Sequence, residues 1–170
     1  MNRVLATLLA TRLASTPERL FLVDGETRLT FAAFGRRVEA VAGGLQRLGI
    51  GTGDVVSWQL PSWWEGAVLA VAIDSLGAIG NPILPIYRER ELGFIARQAR
   101  SRALFVPGVF RGFDHRELAA TLRATVEHLV VVRDPPPAGM RAWAELAGAD
   151  PRPPAADAAT GDAGLRQRAL

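Results

Sequence analysis

The 170 residues contain no cysteine and no lysine, so all twenty basic residues are arginine. Without cysteine there is no disulfide framework, no thiolate nucleophile and no thiolate-held zinc or iron–sulfur centre. Histidine is almost as scarce. His115 and His128 are too few and too isolated for a histidine-rich metal site, so both are read as ordinary helix-end or surface histidines and no metal is expected. Seventeen acidic residues are interleaved with the arginines, which leaves a net charge of only +3. No basic run is threaded with aromatics in the manner of a nucleic-acid surface, and no nucleic-acid partner is expected.

Long apolar runs are also missing. Arg3 precedes Val4-Leu5-Ala6-Thr7-Leu8-Leu9-Ala10, but Arg12 interrupts a run already at the lower limit for a signal core. Val4, Leu5, Leu8, Leu9 and Leu13 instead fall on one helical stripe, which predicts a short docking helix. Gly66 to Ile86 contains Asp74, Asn81, Pro82 and Pro85, whereas a spanning helix needs about 20 apolar residues without such breaks. That stretch is read as a buried helix and then an extended segment. No membrane span is expected.

What is present is enough apolar material, 49% of residues, for one domain with a real core. Leu20 to Val23 and Thr27 to Thr30 flank Asp24-Gly25-Glu26, a hairpin signal because an Asp-Gly pair tolerates the positive φ of tight turns. Thr30 stands at an N-cap position before Phe34, Val38, Val41, Leu45 and Leu48, spaced by three and four, and Gly49 ends that helix. Asp54 to Trp58 reads as a buried strand, Trp64 to Leu76 as a helix covered on several sides and Ile79 to Ile83 as extended. Glu89 to Arg100 follows as a helix with Leu92, Ile95, Ala96 and Ala99 inward, then a strand Ala103 to Val106, a helix His115 to Thr125 and a strand Leu129 to Val132. The fold class is therefore α/β, an N-terminal β-hairpin followed by alternating strands and helices that form a mostly parallel sheet. Composition shifts at Pro135-Pro136-Pro137, and a short helix is expected around Trp143 to Leu146. The chain is divided into a folded unit, 1–147, and a Pro/Ala-rich tail, 148–170, without periodicity and expected to be disordered.

Gly49-Ile50-Gly51-Thr52-Gly53 imitates part of a dinucleotide-binding loop, but such a loop works only when a strand enters it and a helix leaves it. Here a helix enters and a strand leaves. The glycines cap and turn the chain.

The order of the remaining segments carries a resemblance. Leu29-Thr30-Phe31-Ala32-Ala33-Phe34, then Leu45-Gln46-Arg47-Leu48-Gly49-Ile50 and Gly53-Asp54-Val55-Val56, then Gln59-Leu60-Pro61-Ser62-Trp63-Trp64-Glu65, then Asp74 to Pro85, resemble the opening signatures of the AMP-forming acyl-CoA synthetases and ligases of the adenylate-forming, AMP-binding superfamily. The paired tryptophans and Asn81-Pro82-Ile83-Leu84-Pro85-Ile86-Tyr87-Arg88 are similar to the branch acting on cyclohexanecarboxylate and medium-chain acids. The resemblance covers about Val4 to Ala147. It implies the N-terminal subdomain of the adenylate-forming fold, a place in fatty acid metabolism and the cytoplasm as location, with ATP, magnesium and CoA as the full-length family's cofactors.

These signatures are structural. Trp63 and Trp64 are expected to pack in the core or a lid rather than line an acyl pocket, and Arg88, Glu89 and Arg90 to start a solvated helix rather than clamp phosphate. The family's phosphate loop, adenine segment, ribose aspartate and catalytic lysine have no counterparts, and Thr160-Gly161-Asp162, which imitates the ribose motif, lies in the tail as a chance triplet. No catalytic, cofactor-binding or metal-ligating residue is assigned. The expectation is a truncated part of an ATP-dependent acyl-CoA ligase, inactive alone. The other reading is a non-catalytic binding or complementation module that docks to a separately encoded remainder. The helix Trp64 to Leu76 and the strand Ala103 to Val106 are expected to lack cover, so that the chain self-associates or binds a downstream ligase fragment.

Overall fold

The computed structural model describes residues 4–148. Helix α1 (Val4–Ser15) docks on the helices that follow, but by a narrower face than the apolar stripe predicted. Leu9 and Leu13 are partly covered, while Val4, Leu5 and Leu8 stay exposed. The cause lies at the helix start. The Ala6 N–H donates to Asp74 Oδ2 at 2.9 Å, which satisfies one of the unpaired amides of the first turn and fixes the roll of the helix. With that roll, positions 9 and 13, four apart, share the inner face, and the Leu13 methyls lie against Gly35.

Strands β1 (Leu20–Asp24) and β2 (Thr27–Thr30) form the expected antiparallel hairpin, with Gly25 at φ +57° in its turn. The Thr30 hydroxyl accepts from the Ala33 N–H at 3.2 Å and so caps α2 (Phe31–Arg47), whose buried Phe34, Val38, Val41 and Leu45 recur as read from the sequence. Gly49 at φ +75° ends the helix and turns the chain toward the sheet.

Five parallel strands follow: β3 (Val55–Trp58), β4 (Ile79–Pro82), β5 (Ser101–Pro107), β8 (His128–Val132) and β9 (Arg141–Ala142), in the spatial order β4-β3-β5-β8-β9. Between them run α3 (Trp64–Ser75), α4 (Glu89–Ala99), a small hairpin β6 (Val109–Phe110) and β7 (Phe113–Asp114), and α5 (His115–Ala120); α6 (Trp143–Ala147) closes the described chain. The period-2 geometry of strands sorts the core into two layers. Ala103, Phe105, Val130 and Val132 meet α2, α3 and α6, whereas Leu104, Val106, Leu129 and Val131 meet α4 and α5. Each of the Val, Leu and Phe side chains among them, fully buried, contributes about 1.5–3 kcal/mol. The sheet is therefore covered on both faces.

That cover corrects one expectation. The strand Ala103 to Val106 is fully buried and no residue of α3 is exposed, because the described residues themselves supply both helical layers. The exposed large apolar residues lie elsewhere, notably Leu84, Ile86, Phe94 and Val109. A second correction concerns α5, which ends at Ala120 rather than Thr125. The Thr121 hydroxyl bonds to the Leu118 carbonyl, and the next turns close with i to i+3 bonds, yet Leu122 and Val126 still reach the core. The β6–β7 hairpin escaped the sequence reading because its two turn residues are Arg111 (φ +50°) and Gly112 (φ +74°) rather than the usual Asn-Gly. Strand β9, two residues long, carries no periodic signal. Among the described residues no helix is long and apolar enough to cross a membrane. Apart from Gly148, the expected tail and Thr160-Gly161-Asp162 lie outside the described residues.

Candidate functional site

Strand order places the site. The chain runs from β3 to β4 on one side, then crosses to β5 on the other side of β3, so α3 and α4 lie on opposite faces of the sheet. In open parallel sheets the crevice outside the carboxyl ends of the strands, at such a reversal, is where ligands bind. A crevice of about 480 Å³ opens there, walled by the segments that leave β3 (Leu60, Pro61), β4 (Ile83 to Ile86) and β5 (Phe110, Arg111, His115).

Gln59 holds this rim together. It is completely buried, and its backbone N–H extends the β3–β5 ladder to the Phe105 carbonyl at 2.8 Å. Its side-chain Nε2 donates to the carbonyls of Leu84 at 3.0 Å and Tyr87 at 2.9 Å, which uses both amide hydrogens. Its Oε1 faces His115 Nδ1 at 3.3 Å. One side chain thus ties the end of β3 to the loop after β4 and to the start of α5. His115 is 1% exposed, with Phe113 edge-on to the ring and Phe110 beside it. Burial pushes its pKa below the ordinary 6.5, the nearby Arg88 charge pushes the same way, and Asp114 only partly opposes them. The ring is therefore neutral at pH 7. Arg88 spends one guanidinium nitrogen on the Pro85 and Tyr87 carbonyls and stacks over Phe113 at 4.0 Å.

A second pocket of about 400 Å³ lies beside the first, between the hairpin and the start of α3, with Asp24, Trp58 and Trp63 among its walls. Here Arg133, just past β8, donates to both oxygens of buried Glu65 at 2.8 Å each and also to Asp24, and lies over the Trp63 ring at 4.2 Å. Burial raises the Asp24 pKa, but the hydrogen bond from Arg133 and the Trp64 N–H outweigh it and leave the carboxyl below 3.8. Trp64 is buried and meets Trp143 edge-on, as expected for core packing, while Trp63 is half-buried beneath Arg133. Arg88, Glu89 and Arg90 are exposed at the start of α4, in line with a solvated helix start. The Gly49 to Gly53 turn lies at the opposite, amino ends of the strands, in a helix-to-strand turn as read.

The sequence reading missed Gln59, and it missed that His115 is a buried rim residue rather than a surface one. The signal was available: a polar residue closing an apolar strand just before a proline, and a histidine opening a helix directly after a strand, both at carboxyl ends.

The sheet, covered by helices on both faces, and its crevice define a doubly wound α/β domain. The model of the family described as "AMP-binding enzyme" matches residues 9–162, and the chain belongs to that family. It is 39% identical to the 2-hydroxy-7-methoxy-5-methyl-1-naphthoate–CoA ligase of Streptomyces carzinostaticus over 155 residues, 88% of this chain but 28% of that protein. It is 30% identical to the medium-chain fatty-acid–CoA ligase of Escherichia coli (strain K12) over 96 residues, 56% of this chain and 17% of that one. The anthranilate CoA ligase AuaEII, solved with anthranoyl-AMP, superposes with a TM-score of 0.76 at 22% identity, over 86% of this chain and 29% of its own, which shows a shared fold. The chain thus spans less than a third of each. Among the described residues no group of three or more His, Asp or Glu could hold a metal ion. The family's magnesium therefore finds no ligand set among the described residues.

Proposed function

We propose that these residues supply the amino-terminal scaffold of an AMP-forming acid–CoA ligase. Such an enzyme condenses a carboxylic acid with ATP to an acyl-adenylate and pyrophosphate, then passes the acyl group to CoA with release of AMP. The observation that carries the reading is the family match over residues 9–162, together with 39% identity across 88% of the chain to an aromatic-acid CoA ligase. The acid is proposed to be apolar, cyclic or medium-chain. The residues Asn81 to Arg88 support this, as do the names of the two curated relatives. ATP and CoA as substrates support a cytoplasmic site of action.

By itself the 170-residue chain is proposed to be catalytically silent. Phosphoryl and acyl transfers of this kind rest on preorganised positive charge at the phosphates, and the family's phosphate loop and catalytic lysine have no counterparts in this sequence. The test is a chimaera in which residues 4–148 replace the matching stretch of the naphthoate ligase. The reading expects the chimaera to form acyl-CoA. A soluble, folded chimaera without ligase activity would overturn it.

A further inference from the structure

We infer that His115 Nε2 is a fixed hydrogen-bond acceptor at the carboxyl-end crevice, built to take an N–H or O–H donor of a small apolar ligand. Gln59 decides the tautomer. Both hydrogens of its Nε2 are committed to carbonyl oxygens, Leu84 and Tyr87, which fixes the amide orientation, because the reverse would set its oxygen against two others. The atom facing His115 is then Oε1, which can only accept. Nδ1 of His115 must therefore carry the ring hydrogen, and in a neutral imidazole that leaves Nε2 with a lone pair.

That lone pair has no hydrogen-bond partner among the described residues. His115 lines the crevice although its residue is almost completely buried, so the unused acceptor meets the space a ligand would fill. Around it Leu60, Pro61, Ile83 and Phe110 offer apolar contact, Ser62 and Arg111 add polar edges to the crevice, and Arg88 holds one guanidinium nitrogen on its own loop. A neutral acceptor beside apolar walls favours a donor-bearing ligand, since a ligand without one displaces water from the lone pair and gives it no partner. The acceptor is a property of these residues, whatever reaction a longer chain performs.

Two measurements on the full 170-residue chain test this. Long-range nitrogen–proton correlation at neutral pH reads the tautomer directly. The Nδ1–H form with bare Nε2 is expected, and the Nε2–H form or an imidazolium overturns the inference. Titration with benzamide and with methyl benzoate, the same ring with and without an N–H donor, tests the preference. Benzamide is expected to move the His115 Nε2 resonance and to bind roughly fivefold tighter, the equivalent of one net hydrogen bond. Equal affinities, or benzamide shifts confined to residues away from Gln59 and His115, overturn it. The variant Gln59→Leu is expected to release the tautomer; should it fail to fold, the two measurements on the unaltered chain decide alone.

Discussion

The two ends of the parallel sheet handle polar groups in opposite ways. At the amino ends, Arg102 bridges Asp54 at 3.0 Å and Glu127 at 2.9 Å, and its three partners' worth of bonding includes the Gly49 carbonyl at 2.7 Å. All of these side chains keep about a third or more of their surface in water. At the carboxyl ends Gln59, Glu65 and His115 are almost fully withdrawn from it. A charge left in solvent is already satisfied, so a bridge adds little, whereas a group taken out of solvent must find every bond inside the protein. His115 keeps one acceptor that no hydrogen bond among the described residues uses.

Breaking the buried side costs most. Arg133→Met leaves the Glu65 carboxylate buried without its bidentate partner, and a loss of roughly 2–3 kcal/mol is expected by denaturant unfolding. This is below the roughly 3–5 kcal/mol usual for breaking a fully buried pair, because the Arg133 side chain is itself about a third exposed. Gln59→Leu removes one acceptor and two donors from the rim and should cost about 2 kcal/mol, with the largest amide-exchange increase in residues 83–88.

Acid sharpens the contrast further. A histidine held neutral by burial binds fewer protons folded than unfolded, so its contribution is complete above about 6.5 and is lost as pH falls toward the lowered folded value. Stability should therefore decline below pH 6.5, and His115→Gln should flatten that decline even if it lowers the plateau. A further loss is expected below about 3.8, where Asp24 and Asp114, both held low by arginine hydrogen bonds, take up protons. The smallest effect belongs to the exposed end. Arg102→Met should leave the unfolding midpoint within error at physiological salt; a shift as large as that of Arg133→Met would erase the distinction between the ends.

Much of this architecture was legible because the strong periodicities were local. The hairpin at Asp24-Gly25, the Thr30 cap and the alternation from Val55 to Val132 are carried by neighbouring residues, and they appear where the sequence put them. What stayed hidden depends on residues far apart in the chain. The rotation of α1 is set by Asp74, sixty-eight positions from Ala6, and the burial of Glu65 is made tolerable by Arg133, also sixty-eight positions away. Gln59 and His115 look unremarkable singly, since each becomes a rim residue only when the β3 to β5 crossover brings the two carboxyl ends together. The β6–β7 turn was invisible for a simpler reason, an arginine holding a positive φ that is ordinarily left to glycine or asparagine.

We propose that this chain supplies a scaffold and a ligand crevice without the phosphate chemistry of its family. Acid-dependent exchange of pyrophosphate into ATP measures that chemistry alone, without needing CoA. The purified 170-residue chain, offered benzoate, cyclohexanecarboxylate and octanoate in turn, is expected to give no exchange above the acid-free blank. Exchange that rises with any of these acids and saturates would contradict the account.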